Sequence, residues 1–321
     1  MFVLCSEITI GGKRFRSVND VRIKRSVNTL AASAVIKVPV TAVLCDRKTR
    51  TRIETAQAVT VGDPVEIRLG YNGRLRTEFR GYVKRLNYRT PLEIECEDEF
   101  YACRLRAVRH SGPTTLRELL QKCGLTVGYC EELTIAEFPI PDQKTKSDKV
   151  STVLNRLKSR YLLSIWFDLA GKVYACRPAS VVGATVRYRF RYNTVSEDEL
   201  KYHRADDVKV LVKAVGIRRD GTTVEISVGD EGGTETKLQF YDVSNEKELR
   251  MLAAAELERR SYDGYSGTMT AFLEPFAEPA MIASMTDDRY AERSGNYFIE
   301  STEVSFGQSG GRRKVEVGLK L

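Results

Sequence analysis

The sequence contains very little histidine: 321 residues include only His110 and His203. Histidine is the usual general base near neutral pH and a leading metal ligand, so this scarcity argues against most hydrolytic and metal chemistry. Long apolar runs are also missing. The stretch 161–167 is far shorter than the roughly 18–20 residues of a membrane-spanning helix. The N-terminus has no basic signal-peptide region, so we expect a soluble protein without membrane insertion or classical export.

Cysteine is present in an odd number, and its spacing does not resemble a metal site. The seven cysteines are Cys5, Cys45, Cys96, Cys103, Cys123, Cys130 and Cys176. Structural zinc sites favour gaps of about two to four residues, whereas the two closest cysteine pairs here are separated by six. We therefore expect reduced, buried thiols, and neither a metal nor a cofactor.

The composition is that of an ordinary folded chain, long enough for two or three domains. Hydrophobic residues make up 42% and charged residues 29%, and the net charge is +8. Residues 1–117 hold 22 Lys and Arg against 12 Asp and Glu, while the remainder holds 29 against 31. This asymmetry indicates an acidic partner, such as nucleic acid, a membrane surface or an acidic protein face. The simpler interpretation, which we favour, is the solvated or protein-facing surface of strands, because these basic residues alternate with apolar ones: Arg22, Lys24, Arg25, Arg74, Arg76, Arg80, Lys84, Arg85 and Arg89.

The first segment, residues 1–103, has the pattern of short strands joined by tight turns. Strands are predicted at 6–10, 15–24, 34–40, 63–71, 75–87 and 92–97. Gly11-Gly12 and Asn72-Gly73 mark hairpin turns, and a polar, basic loop covers 46–52. No helix is available to cover a parallel sheet, so the segment is predicted to be an antiparallel sandwich or small barrel.

The middle segment, residues 104–199, has a different character and is predicted to be a small α+β module. Thr115 and Glu118 form a capping-box pattern at the start of a short helix, which Gly124 ends. A second helix is predicted from about 147 to 160, with one apolar face. A hairpin over 162–177 follows.

The third segment, residues 200–321, returns to strands and carries one helix. A hairpin is predicted over Asp220-Gly221, and a helix after a cap formed by Asn245 and Glu248. Further strands are predicted at 267–273, 280–285, 295–306 and 314–320. The first and third segments end alike, each with a glycine-aromatic pair, a long strand, a turn and a return strand. This weak internal repeat suggests two related β-domains around a smaller insert.

Several motifs carry a resemblance to a known family. These are Val61-Gly-Asp-Pro-Val-Glu-Ile67 leading to Gly70-Tyr71, then 79–83 (Phe-Arg-Gly-Tyr-Val), the helix near 245–260 and Gly295-Asn-Tyr-Phe298. In the order of its elements the chain resembles the baseplate hub, or late control protein D, family of phage tails and related contractile injection systems. The resemblance implies a mainly β fold, with two tail-tube-like antiparallel β-barrel or sandwich domains flanking a small α+β module. One departure is the second barrel, where 278–281 (Glu-Pro-Ala-Met) replaces the Pro-Gly-Asp-like turn of the family.

The resemblance also implies a non-enzymatic function. A hub of this family is a homotrimer whose six quasi-equivalent barrels join a threefold central spike protein to the sixfold tail tube protein. Other baseplate proteins are expected partners, with the tape-measure protein as a further candidate. The implied location is the baseplate of a virion tail, assembled in the host cytoplasm. Spike and cell-wall enzyme are expected to be separate chains.

Two patterns in the sequence resemble enzyme motifs. Residues 307–311 (Gly-Gln-Ser-Gly-Gly) match a nucleophile elbow around Ser309, but a strand follows instead of a helix, and both histidines precede it. A cluster of acidic residues could supply paired catalytic carboxylates: Glu95, Glu97, Asp98 and Glu99. The alternation of Glu95, Glu97 and Glu99 is more simply that of a solvated strand edge. We therefore predict no catalytic, cofactor-binding or metal-binding residues.

The principal alternative is a β-rich polyanion-binding protein. In that interpretation the basic first segment binds nucleic acid through phosphate contacts, with Tyr71, Tyr82 and Tyr88 stacking on bases. Its affinity would fall steeply with salt concentration. A hydrolase is a third and weaker alternative, to be tested by the Ser309→Ala variant.

Overall fold

The computed structural model describes residues 3–15, 18–45, 49–129, 139–140, 145–207, 209–218, 222–241 and 246–321. The α-helices are α1 (Phe100–Leu105), α2 (Leu116–Lys122), α3 (Val150–Tyr161) and α4 (Glu246–Arg260). Short 3-10 helices lie at Thr55–Ala58, Ala205–Asp207 and Ala291–Arg293. The fold is mostly β and mainly antiparallel, as predicted.

The first unit consists of strands β1 to β9. Their bounds are β1 Leu4–Ile10, β2 Lys13–Phe15, β3 Asp20–Ser26, β4 Ser33–Val38, β5 Thr41–Cys45, β6 Arg50–Glu54, β7 Pro64–Tyr71, β8 Arg74–Asn87 and β9 Leu92–Glu97. Seven of them form one antiparallel sheet in the order β3-β4-β9-β8-β7-β1-β2. Buried and solvent-facing residues alternate along β3 and β4, so one face packs into a core around Ile23, Ile36 and Ile94.

The middle of the chain is a small α+β insert. Its strands are β10 Ala107–His110, β11 Thr114–Thr115, β12 Pro139–Ile140, β13 Thr145–Lys149, β14 Ser164–Phe167 and β15 Val173–Cys176. The predicted capping box begins α2, because Thr115 accepts from the Glu118 amide while the Glu118 carboxylate accepts from the Thr115 amide. Gly124 follows α2 with φ +72°, the left-handed conformation expected just after a helix. Helix α3 begins at Val150, three residues later than predicted, since 145–149 pair as β13 with β10.

The second unit consists of six strands that share a sheet with the first. They are β16 Thr185–Arg189, β17 Thr194–His203, β21 Gly264–Ala271, β22 Ile282–Thr286, β23 Gly295–Gly307 and β24 Gly310–Lys320. The order is β17-β21-β24-β23-β22-β16, and β16 runs parallel to β22. Strand β16 and residues 194–199 of β17, which were predicted as part of the 104–199 insert, therefore pair with the second unit. The partners of these two strands lie about 60–100 residues away, so local patterns do not reveal the pairing.

A side module interrupts the second unit between β17 and β21. It contains β18 Val210–Ile217, β19 Thr223–Gly229, β20 Thr234–Tyr241 and α4, in a three-stranded sheet of order β19-β18-β20. Strand β20 runs parallel to β18. Helix α4 packs on one face of this sheet through Leu249 and Ala253. The predicted turn at Asp220-Gly221 and the cap at Asn245 fall outside the described residues.

The two units repeat one strand order. The strands correspond in chain order, β1, β3, β4, β7, β8 and β9 to β16, β17, β21, β22, β23 and β24, and the neighbours in each sheet match. One pair differs in direction, because β1 runs antiparallel to β7 whereas β16 runs parallel to β22. The register matches too: β8 carries a bulge between Val83 and Arg85 opposite β9, and β23 carries one between Ile299 and Ser301 opposite β24. The structure thus contains the internal repeat that the sequence suggested only weakly.

Strand β23 joins the two units. Its first part pairs with β22, and from Ser301 to Gly307 the same edge pairs with β3 of the first unit. Val304 and Phe306, in the second half of β23, consequently lie in the core of the first unit. The pairing of β3 with β23 is called the intrachain seam below.

Candidate assembly interface

The junction between the two units contains a buried ion pair. Arg313 on β24 is 1% exposed and Glu78 on β8 is 3% exposed. The guanidinium donates to both carboxylate oxygens, at 2.8 and 3.1 Å. It also donates to the carbonyls of Leu273 and Ala277, at 3.0 and 2.9 Å. Such a pair can fix two elements in one relative position, because moving either would leave a charge buried and uncompensated.

The electrostatics of this junction are set by burial. Removal from water raises the pKa of Glu78, and the Arg313 guanidinium opposes that shift only in part. Arg313 Nε has no hydrogen-bond partner among the described residues. The guanidinium also lies over the ring of Phe276, 5.1 Å from its centre. The pair therefore has a structural role and stands in no open cleft where it might act on a substrate.

Residues 272–281, called the strap, connect β21 to β22 and fold back onto the first unit. Glu274 accepts from Arg76 at 2.8 Å, and Glu278 accepts from Arg25 at 2.9 Å. Leu273 is buried in the core of the first unit. The strap therefore fixes the second unit against the first through both apolar and charged contacts.

The corresponding connection of the first unit, between β4 and β7, behaves differently. It contains β5 and β6, which pair only with each other among the described strands. The sequence analysis predicted a loop at 46–52, yet 50–52 belong to β6, and 46–48 lie outside the described residues. Val43 is 59% exposed and its neighbour Leu44 is also exposed. This outer hairpin, residues 41–54, leaves apolar side chains in water.

The departure at 278–281 from the expected second-barrel turn has a structural explanation. The Gly62 amide donates to the Val83 carbonyl at 2.8 Å, and the Ala280 amide makes the equivalent bond to Ile299 at 2.9 Å. Both residues have positive φ, +93° for Gly62 and +67° for Ala280. Alanine thus occupies the glycine position of the turn, in a backbone conformation that costs roughly 1–2 kcal/mol for residues with a side chain.

Most of the basic residues of the first segment are already ion-paired. Seven of the nine predicted surface cations contact a carboxylate, and Arg74 and Arg89 make no ion pair with another described residue. The pairs are Arg22–Asp20, Lys24–Glu303, Arg25–Glu278, Arg76–Glu274, Arg80–Glu66, Lys84–Glu97 and Arg85–Glu95. Neutralised cations offer little to a phosphate backbone, so the charge asymmetry does not by itself indicate a polyanion site.

The carboxylates considered as a catalytic pair are also engaged. Glu97 is buried and accepts two hydrogen bonds from Arg104, each at 2.8 Å, while Glu99 accepts from Arg106. The interpretation of Glu95, Glu97 and Glu99 as a solvated strand edge was wrong for β9, which pairs on both sides, with β4 and β8.

Asp98, which was considered together with those glutamates, has a structural position that the sequence did not predict. It is buried, and burial raises its pKa to about 7. Its oxygens accept from the amides of Ala32, at 2.9 Å, and Phe100, at 3.1 Å. These bonds hold the residue after β9 against Ala32, just before β4, and against the first residue of α1, a helix that was not predicted from the sequence. Only the sequence Glu-Asp-Glu before an apolar run signals it.

The remaining candidates for chemistry occupy structural positions. Ser309 lies in the turn between β23 and β24, as predicted, with strands on both sides. The His110 Nε2 atom lies 2.8 Å from the Gly112 carbonyl. The His203 ring packs edge-on against Tyr262, and burial lowers its pKa.

The described cysteines make no disulfide with one another. Cys96, Cys103, Cys123 and Cys176 are buried, Cys5 is half-buried and Cys45 is exposed, while Cys130 falls outside the described residues. Burial raises the pKa of Cys103 to about 12 and that of Cys123 to about 11. Among the described residues no three His, Cys, Asp or Glu side chains cluster as a metal site would require, and no helix is long and apolar enough to span a membrane.

Comparisons with known proteins identify the fold. No family model matches the sequence, and no curated protein matches it either. Solved structures do match along nearly the whole chain. A 43 kDa tail protein of prophage MuSo2 from Shewanella oneidensis has a TM-score of 0.60 at 14% identity, covering 98% of this chain and 97% of that one. A tail protein from Neisseria meningitidis has a TM-score of 0.60 at 13% identity, with 99% and 96% covered.

A third similar structure comes from a secretion machine. It is an E. coli component of the type VI secretion system, described as structurally similar to T4 phage tail proteins. Its TM-score is 0.54 at 10% identity, and the match covers 97% of this chain and 76% of that protein. The resemblance to phage tail proteins is therefore confirmed at the level of the fold.

Proposed function

We propose that this protein is a structural baseplate hub of a phage tail or phage-like injection machine. In this role it forms a homotrimeric ring that joins the central spike to the tail tube, and it contacts other baseplate proteins. The observation that carries the proposal is the internal repeat, in which two units with one strand order and one register share a continuous sheet. The matching tail proteins, which extend over nearly the whole chain, support it.

The repeat supplies a physical reason for such a role. Closed rings require matching symmetry at each interface. Three copies of a chain with two equivalent units present six similar units to a sixfold tube, while the ring keeps threefold symmetry for a spike. A buried ion pair and a charged strap hold the two units at one fixed angle, which a rigid adaptor requires.

A non-enzymatic role is part of the proposal. It is supported by the positions of Ser309, His110 and Glu97, each engaged in local structure, and by the similar structures, which are tail proteins. The polyanion-binding alternative is weakened by the ion pairs of the first segment. We propose the tail baseplate as its location, after assembly in the host cytoplasm.

The test counts copies of the chain in assembled particles. Tail-containing particles would be purified from the producing cells, and the chain quantified by mass spectrometry against isotope-labelled peptides. We expect three copies per particle, at the end of the tail that carries the spike, as seen by antibody labelling in the electron microscope. Absence from particles, or a copy number that grows with tail length, would contradict the proposal.

A further inference from the structure

Two strand edges pair with no described strand: the outer edge of β17 and the edge of β8 beyond Val83. They are the counterparts of the β3 and β23 edges that form the intrachain seam. Strand β17, the counterpart of β3, lies at one end of the sheet and pairs only with β21 among the described strands. Strand β8, the counterpart of β23, pairs with β7 as far as Tyr82. Beyond Val83, no described strand pairs with residues 84–87 on that side.

The local geometry that precedes each edge is the same. In the second unit, Ile299 exchanges hydrogen bonds with Ala280 and Met281 before β3 joins at Ser301. In the first unit, Val83 exchanges equivalent bonds, of 2.8 and 2.9 Å, with Gly62 and Asp63. The backbone of β8 therefore has, just before residue 84, the same geometry that β23 has just before β3 joins it. An edge of this kind, with amides and carbonyls that no other strand pairs, is a template for another strand.

Burial differs between the β23 edge, which β3 covers, and the equivalent edge at the end of β8, which no described strand covers. Aligning the two bulges makes Tyr88 the counterpart of Val304. Val304 faces Ile23 across the intrachain seam and is 2% exposed, whereas Tyr88 is 78% exposed. A large aromatic side chain in water at the end of a free edge is typical of an interface anchor.

We propose that β17 of one copy of this chain pairs antiparallel with residues 84–88 of the next copy. This interchain seam repeats the intrachain seam. The inference rests on the proposed ring and names its contact. It requires no other protein, because the intrachain seam forms from the same kind of pairing.

The alignment also gives the register of the interchain seam. On β17, Leu200 is the counterpart of Ile23, since two strands separate each of them from the residue at the bulge of its own unit, Ile299 and Val83 respectively. Tyr88 then faces Leu200, and Asn87 faces Lys201. Arg89, which makes no ion pair with a described residue, faces Glu199. An apolar contact and an opposite-charge contact at adjacent positions both favour this register.

Disulfide trapping tests the register directly. Directly opposed residues of antiparallel strands have Cα atoms about 4.5–5.5 Å apart, within the range of a disulfide. In a Cys5→Ser, Cys45→Ser background, the pair Asn87→Cys and Lys201→Cys is expected to give covalent dimers and trimers under mild oxidation. A peptide linking positions 87 and 201 should appear in the mass spectrum. Each single variant should give only background crosslinking.

The intrachain seam provides the matched control. Lys24 and Glu303 are the counterparts of Lys201 and Asn87 and face each other in the structure. The pair Lys24→Cys and Glu303→Cys should therefore close within one chain and give no oligomer. If this control closes while the 87 and 201 pair does no more than the single variants, the proposed seam is wrong.

A second measurement uses the exposed aromatic side chain. Light scattering in high salt should give three times the 36.2 kDa chain mass for the wild type and the monomer mass for Tyr88→Lys. Tyr192→Lys is the control, because Tyr192 is also 78% exposed but lies outside the seam. A wild-type monomer, or a Tyr88→Lys trimer, would overturn the interchain seam. Neither result bears on the copy number in particles, so the hub proposal and the seam can fail separately.

Discussion

The two units have one strand order, but one of their connections differs: the segment between β21 and β22 packs inward, whereas its counterpart between β4 and β7 is exposed. In the second unit this connection is the strap, which folds inward and places Leu273 in the core of the first unit. In the first unit it carries the outer hairpin, whose Val43 side chain is 59% exposed. The same strand order can therefore carry a connection that fixes the two units to each other in one copy and a connection with an exposed surface in the other. Four predictions test that difference.

The largest effect is expected at the buried ion pair behind the strap. Arg313→Met leaves Glu78 buried and uncompensated, which should lower the free energy of unfolding by about 3–5 kcal/mol, measured by urea denaturation. Adding Glu78→Leu removes the stranded charge and should restore most of the loss. Arg76→Gln, at the exposed pair with Glu274, should cost less than about 1 kcal/mol. Equal losses at both sites would contradict the inward role of the strap.

The second effect concerns Asp98, whose counterpart in the second unit is Leu319. Because burial raises the pKa of Asp98 to about 7, the folded chain holds a proton that the unfolded chain releases. Stability from this group is complete below about pH 4 and is lost as the pH rises towards 7, by at most about 4 kcal/mol.

Asp98→Asn should remove that slope from the curve of unfolding free energy against pH. The slope is the readout, since the amide also loses one of the two backbone hydrogen bonds and changes the absolute value. Leu319→Asn should leave the slope unchanged. An unaltered slope in Asp98→Asn would show that another group titrates.

The third effect compares Gly62 with Ala280, which hold the same turn. Gly62→Ala introduces a side chain at φ +93°, with its nearest neighbour, Tyr101 Oη, at 3.6 Å, so strain rather than space decides the result. We expect a loss of about 1 kcal/mol by urea denaturation. Ala280→Gly relieves similar strain but removes a buried methyl group, so its net change should stay within about 0.5 kcal/mol. A larger change in the free energy of unfolding for Ala280→Gly than for Gly62→Ala would contradict the equivalence of the two turns.

The smallest effect is expected at the outer hairpin. Replacing Val43 and Leu44 together by serine should change the free energy of unfolding by less than about 0.5 kcal/mol, because both are exposed. Leu273→Ala in the strap should cost about 2–5 kcal/mol, as for other buried leucines. A large loss from the hairpin variant would show that the hairpin packs against its own chain.

Local patterns predicted the local elements well. The alternation along 20–26 and 33–38, the capping box at Thr115 and the stop at Gly124 follow from side-chain burial and backbone preferences that a short window contains. The antiparallel β class followed from turn spacing. The tail-protein fold came from short motifs in order, and the structural comparisons bear it out.

The features missed from the sequence depend on distant partners. Arg313 shares the buried face of β24 with Val315 and Val317, but nothing near it in the sequence indicates its partner, because Glu78 is 235 residues away. Glu97 reads as a solvated edge until β4 and β8 are seen on either side. The pairing of β16 and of residues 194–199 with the second unit was missed for the same reason. The three-domain division itself stays a prediction of the sequence.

The intrachain seam has a consequence for the order in which the chain can fold. Strand β3 finds its second neighbour only when β23, about 280 residues later, has left the ribosome. Until then the N-terminal unit has an open edge and lacks Leu273, Val304 and Phe306 from its core. Translation must therefore be nearly complete before either unit is finished. A chain released early would expose an aggregation-prone edge, so truncated chains are expected to aggregate or to be degraded.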